Sequence, residues 1–163
     1  MTHVDAAAEA DPDLLALDRQ VCFALAVAAR EVIALYRPLL GPLGLTHPQY
    51  LVMLALWEQA PLKVGDLASR LSLEPATLSP LLKRLEARGL VTRDRHPQDE
   101  RALAVALTPA GAAARAAAEQ VPAAIMTRLG MDVADLERLR DGLGRLIAAA
   151  RTDGVAPEDR TAG

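Results

Sequence analysis

Apolar positions in the first part of the chain recur at spacings of three and four residues. Behind Asp13, which is suited to cap a helix N-terminus, the series runs through Leu14, Leu17, Val21, Leu25, Ala28, Val32 and then Leu35 or Tyr36. This period places side chains on one face of an α-helix and predicts a first helix of about seven turns. Prolines and glycines between residues 38 and 44 are expected to end it.

The same period predicts three further helices. They cover Pro48 to Glu58, Val64 to Leu71, and Pro75 to a closing glycine at position 89. Pro75 suits the first position of a helix, because the amide hydrogen there has no partner within the helix. Pro80 also lacks an amide hydrogen, so we expect it near the start of the fourth helix, with a slight bend.

After Gly89 the apolar period shortens from about 3.6 residues to about 2, which is typical of β-strands. Two strands are predicted, from Leu90 to Arg93 and from Leu103 to Leu107, with the polar stretch Asp94 to Arg101 as a hairpin tip. Thr108 and Pro109 then open a fifth helix, Ala110 to about Gly130. A sixth begins at Asp132, with its stripe at Leu136, Leu139, Leu143 and Leu146. Residues 1–12 are expected to be disordered, and 152–163 to form a loose tail.

Helices followed by a two-stranded hairpin predict a mainly α fold with a small β-hairpin, the winged helix-turn-helix layout. The turn before the fourth helix, residues 72–74, is short, and that helix exposes the polar residues Thr77, Ser79, Lys83, Arg84 and Arg88. Small hydroxyls suit contact with base edges in a major groove, and cations suit bases or phosphates. Between positions 83 and 101 there are six Lys or Arg against four acids. Arg95 or Arg101 at the hairpin tip could enter a narrow minor groove. For any one of these residues taken alone, an ordinary solvated surface charge is an equally good interpretation.

Composition excludes several classes of protein. The chain has 163 residues, 52% of them hydrophobic but only 2% aromatic, and a net charge of −3, so no uniformly basic coat is present. A single cysteine forms no internal disulfide, which suits a reducing compartment, and no secretory signal or membrane span is apparent, so the cytoplasm is expected. The histidines at positions 3, 47 and 96 lack metal-ligand spacing, and no cofactor is predicted.

Two runs of sequence carry a resemblance to a known family. DLASRLSLEPATLSPLLKRLEARGLVTRDRHPQDERALAVALTPAG resembles the MarR family of bacterial regulators, with DERA and the following LT like that family's wing and next helix. The upstream run LDRQVCFALAVAAREVIALYRPLLGPLGLTHPQYLVMLALWE resembles the organic hydroperoxide resistance regulators within it. The resemblance implies one domain over residues 13–151. Dimerisation helices would span 13–45 and 109–151, and a DNA-binding lobe 46–108.

The resemblance also implies roles for matching residues. Cys22 would be the peroxide-reactive thiol, and Tyr36 a hydrogen-bond donor to its sulfur. Recognition-helix contacts to operator DNA would come from Thr77, Ser79, Lys83 and Arg84. Arg101 would enter the minor groove from the wing tip, with Asp99 orienting it. The sequence departs from the pattern at His47, where a second tyrosine is usual; a histidine can still donate to sulfur but can also be protonated.

The sensor needs a second subunit. Cys22 is expected about nine residues into the first helix, beyond the reach of its N-terminal dipole. Tyr36 follows 14 positions later, on nearly the same face but about 21 Å away along the axis. The two side chains therefore meet only across a homodimer. Tyr50 is assigned to packing beneath the site. The alternative for Cys22 is a small buried apolar side chain.

The predicted function is a repressor that releases its operator when an organic hydroperoxide oxidises Cys22. Sulfenic acid would then become a mixed disulfide with a low-molecular-weight thiol, or over-oxidise, because no second cysteine exists. One alternative is a non-redox member of the same family that binds a small aromatic acid. A less favoured one is a thiol peroxidase, for which no activating or resolving motif is visible.

Overall fold

A computed structural model describes residues 13–152, which form seven helices, a short 3-10 turn (Leu17–Arg19) and a three-stranded sheet. The helices are α1 (Val21–Leu40), α2 (His47–Glu58), α3 (Val64–Leu71), α4 (Pro75–Ala87), α5 (Pro109–Ala118), α6 (Val121–Leu129) and α7 (Val133–Thr152). The strands are β1 (Leu62–Lys63), β2 (Val91–His96) and β3 (Asp99–Leu107), antiparallel in the order β1-β3-β2. The predicted mainly α fold with a small hairpin is confirmed. The predicted disordered start, residues 1–12, lies outside the described residues, as does the tail from 153; residue 152 closes α7 instead of opening the tail.

The first helix begins at Val21, so the prediction that it starts behind Asp13 is wrong. The Asp13 carboxylate accepts a hydrogen bond from the amide of Leu15 at 3.0 Å, which closes a local turn instead of capping a helix. Gln20 occupies the N-cap position with extended backbone, and its side-chain amide donates to the carbonyl of Leu14 at 2.6 Å. The apolar residues before Val21 therefore continue the helical spacing without belonging to the helix.

The middle of the chain folds as predicted. A reciprocal pair of hydrogen bonds caps α2: Gln49 N–H donates to Thr46 Oγ1 at 3.4 Å, and Thr46 N–H donates to Gln49 Oε1 at 3.0 Å. The turn into α4 passes through Ser72, whose left-handed backbone (φ 53°) ends α3. Between α2, α3, α4 and the sheet lies a core whose fully buried members include Met53, Leu56, Leu67, Leu78, Leu82, Leu85, Val91 and Val105. This core fixes the helix-turn-helix to the hairpin.

The sheet is larger than the predicted hairpin. The strands extend through most of the segment assigned to the tip, and the two-residue β1, too short to show a period, was not predicted. Arg95 pairs with Leu103, but the next residue of β2, His96, pairs with Asp99. Three residues of β3, at positions 100–102, therefore bulge out of the ladder.

The predicted fifth helix is two helices. After α5 the chain turns at residues 119 and 120, and α6 restarts with Pro122 in its first turn. A proline inside a continuous helix would remove a hydrogen bond and clash with the preceding turn, so the break falls just before it. Thr108 caps α5 as predicted, through a 3.0 Å hydrogen bond from the amide of Gly111.

The two 20-residue helices near the ends of the described chain leave apolar surface uncovered. α1 buries only Leu40, and α7 buries none of its residues. Their exposed apolar side chains include Phe23, Ile33, Leu139, Leu146 and Ile147. Large apolar side chains gathered on unpacked helix faces mark an association surface. Among the described helices, none is long and apolar enough to cross a membrane.

The core between α2 and α4 can be tested with Leu82→Ala. Leu82 is 1% exposed, and its truncation is expected to lower the free energy of unfolding by about 2–5 kcal/mol, because a cavity remains. Leu103→Ala is the control: Leu103 is 52% exposed and its loss should cost less than about 0.5 kcal/mol. Urea denaturation at one fixed protein concentration measures both, and equal effects would contradict the assigned core.

Candidate functional site

Cys22 is the second residue of α1 and is exposed in the single chain. The expectation that it lies nine residues into the helix is wrong, because the helix starts eight residues later than its predicted cap. The alternative in which Cys22 is a buried apolar side chain is also wrong for the single chain. The first turn of a helix carries unpaired amide hydrogens and the positive end of the helix dipole, an environment that favours anions. Cys22 is thus placed at the end of α1 that carries the unpaired amide hydrogens.

Three rings cluster where α1 and α2 meet. The centroids of Tyr36 and His47 lie 5.0 Å apart in an edge-on arrangement, and those of Tyr36 and Tyr50 lie 5.9 Å apart. Tyr50 is 3% exposed and also stands edge-on to Trp57, so its assignment to packing beneath the site is confirmed. Tyr36 and His47 keep part of their surface open to solvent.

Burial sets the protonation of these rings. It lowers the pKa of His47 below its usual 6.5, so the imidazole is neutral near pH 7. Burial raises the pKa of Tyr36, and the pKa of Tyr50 rises through burial first and then through the proximity of Tyr36. Both phenols therefore stay protonated, and Tyr36 remains a hydrogen-bond donor.

The thiol and the ring cluster stand at opposite ends of one rigid helix. Cys22 and Tyr36 both belong to α1, and 14 residues of helix separate them by about 21 Å. Within one chain the thiol and the phenol therefore cannot meet. Beside the ring cluster lies a cavity of about 440 Å³ lined by Ile33, Arg37, Leu40, Gly41, Leu45, Thr46, His47 and Pro48.

A second group of predicted residues lies along α4. The leucines at positions 78, 82 and 85 face the core, while Thr77, Ser79, Lys83 and Arg84 are exposed. The hydroxyls lie in the first half of the helix and the cations in the second half. This order suits a helix that enters a groove by its N-terminal part.

The hairpin adds a second basic feature. Arg101 stands in the bulge of β3, and Arg95 donates to the carbonyl of Glu100 at 2.8 Å. Asp99 accepts from the amide of Arg101 at 3.2 Å, so its contact with Arg101 is through the backbone and not through the guanidinium. Lys63 of β1 donates to Asp99 Oδ2 at 3.0 Å, and this hydrogen bond, with that from Arg101, lowers the pKa of Asp99. The role of Lys63 was missed, because nothing in the sequence pairs it with β3.

Three of the six cations in this region are engaged within the chain, Arg95 through the hydrogen bond to Glu100 already described. Arg93 binds Glu86 Oε2 through two nitrogens, at 2.7 and 3.0 Å, and so joins β2 to α4. Arg88, which was predicted to bind DNA, donates to the carbonyls of Leu43 and Gly44. Within residues 13–152, the side chains of Lys83, Arg84 and Arg101 form no hydrogen bond or ion pair, and they constitute the available basic surface.

The described part of the chain contains no cluster of side chains suited to bind a metal ion. Across residues 13–152 no three His, Cys, Asp or Glu side chains come close enough to hold an ion.

Comparison with known proteins identifies the family. The sequence profile of the MarR family matches residues 45–103. The organic hydroperoxide resistance transcriptional regulator of Bacillus subtilis is 39% identical over 135 residues, which cover 83% of this chain and 92% of that protein. The chain belongs to the MarR family. Its winged helix-turn-helix fold and the predicted resemblance are both confirmed.

Solved structures of MarR-type regulators extend this result. A probable transcriptional regulator from Pseudomonas aeruginosa superposes with a TM-score of 0.68 at 33% identity, over 80% of this chain and 98% of that one. Overoxidised AbfR bound to DNA superposes with a TM-score of 0.67 at 32% identity, over 82% of this chain and 94% of that one. The family and these structures are those of DNA-binding transcriptional regulators and not of enzymes.

The lowered pKa of His47 predicts a pH dependence of stability. The unfolded chain takes up a proton near pH 6.5, while the folded chain resists it, so stability present above that pH is lost as pH falls through the lower folded pKa. His47→Phe should lose less unfolding free energy than the wild type between about pH 7.5 and about pH 5.5. His96→Gln is the control and should keep the wild-type loss. An unchanged pH profile in His47→Phe would show that another group is responsible.

Proposed function

We propose that this MarR-family chain is a homodimeric repressor that holds operator DNA while Cys22 is reduced and releases it when an organic hydroperoxide oxidises that thiol. The observation that carries the proposal is the separation of thiol and donors on α1. An exposed thiol at one end and a protonated phenol at the other complete each other only when two chains pair. The 39% identity to an organic hydroperoxide resistance regulator supports the choice of oxidant.

The dimer is supported by the uncovered faces of α1 and α7. Two copies that bury these apolar side chains would place Cys22 of one chain near Tyr36 and His47 of the other. The same pairing presents two α4 helices to two half-sites of a pseudo-palindromic operator. The division into a lobe over 46–108 and dimerisation helices over 13–45 and 109–151 belongs to this proposal.

DNA contact divides into positioning and sequence recognition. Thr77 and Ser79, near the start of α4, would face base edges, while Lys83 and Arg84 would contact bases or phosphates. Arg101, held by the bulge of β3 and by the Asp99–Lys63 pair beneath it, would enter the adjacent minor groove. Arg95 is a further candidate, although its hydrogen bond to Glu100 limits its reach.

Sensing begins with the thiolate of Cys22, which attacks the terminal oxygen of the hydroperoxide. An S–O bond forms and the O–O bond breaks; sulfur is oxidised by two electrons, and the organic part leaves as an alcohol after taking up a proton. The phenol of Tyr36 and the neutral imidazole of His47 can donate hydrogen bonds to the sulfur or to the departing oxygen. The sulfenic acid then condenses with a low-molecular-weight thiol, which forms a disulfide and releases water, or it is oxidised further.

The non-redox alternative would place a small aromatic acid in the cleft between the dimerisation helices and the DNA-binding lobe. A groove of about 490 Å³ between α2 and the α5–α6 pair is lined in part by Tyr50, Trp57 and Arg115. Glu58 and Glu119 line the same groove, and Glu119 is already paired with Arg115 at 3.4 Å. Two carboxylates against one paired guanidinium disfavour an anionic ligand. The redox function is therefore the better supported.

Cys22→Ser tests the sensor. Operator binding by the reduced variant should match the wild type, because Cys22 belongs to α1 and not to the elements proposed to contact DNA. One equivalent of an organic hydroperoxide together with a small thiol should raise the operator Kd of the wild type by at least about tenfold and leave that of Cys22→Ser unchanged. Mass spectrometry of the wild type should locate the added mass on Cys22. Equal release of DNA by both proteins would rule out Cys22 as the switch.

Thr77→Ala and Lys83→Ala test the two kinds of DNA contact. Lys83→Ala should reduce the slope of log K against log salt by about 0.9, if Lys83 neutralises one phosphate. Thr77→Ala should leave the slope unchanged and reduce discrimination between the operator and a single-base variant by about 1–3 kcal/mol. Titration at several salt concentrations measures both. A reduced salt slope in Thr77→Ala, or lost base discrimination in Lys83→Ala, would contradict the proposed orientation of α4.

A further inference from the structure

Arg88 connects α4, the helix proposed to contact bases, to the loop between α1 and α2. It is the C-cap residue of α4, and its guanidinium donates to two successive carbonyls of the loop between α1 and α2, Gly44 and Leu43, the latter at 3.1 Å. A planar guanidinium is suited to bind two carbonyls at once, because its donors are fixed in one plane. Elsewhere α4 packs against the core through Leu78, Leu82 and Leu85.

The absence of a side chain at Gly44 leaves space for this guanidinium. Gly44 has a left-handed backbone (φ +62°), and a Cβ built there would lie 2.5 Å from Nη2 of Arg88. Any larger residue at position 44 would push the guanidinium away from the carbonyls. The contact therefore depends on a specific residue from each side.

On its loop side, Arg88 bonds to a segment that is rigidly joined to the sensor rings. Gly44 N–H donates to the carbonyl of Gly41 at 2.8 Å, and Leu45 N–H donates to that of Leu40 at 3.1 Å, so the turn is fixed to the end of α1. Leu40 and Leu45 are buried, and the Thr46 capping box fixes the start of α2 directly before His47. A displacement of α1 or α2 at these rings would therefore be passed to this loop.

On its helix side, Arg88 is fixed to the DNA-reading elements. Its amide donates to the carbonyl of Arg84 at 3.2 Å, and two residues later Leu90 N–H donates to Leu85 at 3.0 Å. Glu86, two positions before it, holds Arg93 of β2. Movement of Arg88 would therefore shift both α4 and the hairpin.

We propose that Arg88 is a positioning residue that transmits displacement at the Tyr36–His47 cluster to α4, and that it does not bind DNA phosphate. The two carbonyls engage both terminal nitrogens of the guanidinium, which the sequence analysis had predicted to contact DNA. This inference rests on the proposed redox function and names the residue through which oxidation reaches the reading helix.

Salt dependence in the reduced state separates the two roles. Arg88→Ala should keep the wild-type slope of log K against log salt, whereas Lys83→Ala reduces it by about 0.9. A reduction of similar size in Arg88→Ala would overturn the proposal, because it would identify Arg88 as a phosphate ligand.

The response to oxidation supplies the second readout. In wild type, the ratio of operator Kd in the oxidised and reduced states measures the coupling. Arg88→Ala should reduce this ratio by about fivefold or more. Arg88→Lys, which keeps the charge without the planar pair of donors, should behave like Arg88→Ala. Full retention of the ratio by Arg88→Lys or Arg88→Ala would overturn the proposal.

Gly44→Ala breaks the same contact from the other side, and Gly130→Ala is its matched control. Gly130 has nearly the same backbone (φ +63°) with nothing within 4 Å of a built Cβ, so it shares the backbone strain without the contact. Gly44→Ala should reduce the ratio as Arg88→Ala does, the double variant should reduce it no further, and Gly130→Ala should keep it. Additive effects of the two substitutions would overturn the coupling. Circular dichroism confirms that each variant is folded.

If hydroperoxide does not release the wild-type protein from the operator, the proposed function itself is refuted.

Discussion

The structure depends on one geometric constraint: a rigid helix keeps positions 22 and 36, which carry the thiol and the phenol, about 21 Å apart along its axis. No side-chain rotation closes that gap, so chemistry that uses both groups belongs to an assembly. The uncovered apolar faces of α1 and α7 agree with this, because long helices that bury almost nothing are not stable arrangements for a solitary molecule. Under the proposed function, sensing and dimerisation would use the same helix, and a change at the thiol would occur at the surface that joins two copies.

The DNA-reading lobe has the opposite character, since it is held together within one chain. Leucines of α4 pack against α2, Arg93 joins β2 to the back of α4 through Glu86, and Lys63 joins β1 to β3 through Asp99. These pairs are partly exposed, and each contributes little to stability on its own. Their importance is geometric, because they fix the angle between the reading helix and the hairpin. In the proposed dimer such a lobe would move as one body, so its position relative to the second lobe would be the quantity that regulation changes.

Much of the fold was predictable from the sequence, because its signals are local. The apolar period, the proline at the start of α4 and the cap at Thr108 depend on residues within one or two turns, and those boundaries were confirmed. The start of α1 was not predictable in this way: Asp13 offered a good cap, but its carboxylate closed a local turn, and Gln20 became the cap residue. Pro122 signalled the break between α5 and α6, although the alanine-rich spacing around it suggested one helix.

The site was predictable in its parts and not in its connections. The thiol, the rings and the polar face of α4 were all identified from residue type, spacing and family resemblance. The partners of Arg88 and Lys63 lie 44 and 36 positions away, and no local pattern indicates such contacts. Sequence reasoning therefore treated Arg88 as one more cation available to DNA, whereas the tertiary fold gives it a different neighbour.

The position of Cys22 at the very beginning of α1 has a mechanical consequence. The first turn of a helix is its most easily frayed part, held here by contacts such as the 3.2 Å hydrogen bond from Ala24 N–H to the Gln20 carbonyl. Under the proposed function, a bulky group on sulfur would strain this turn first, because it lies outside the buried core of α2, α3 and α4. The DNA-binding part would then stay folded while the sensor is modified, and reduction of a mixed disulfide would restore the regulator.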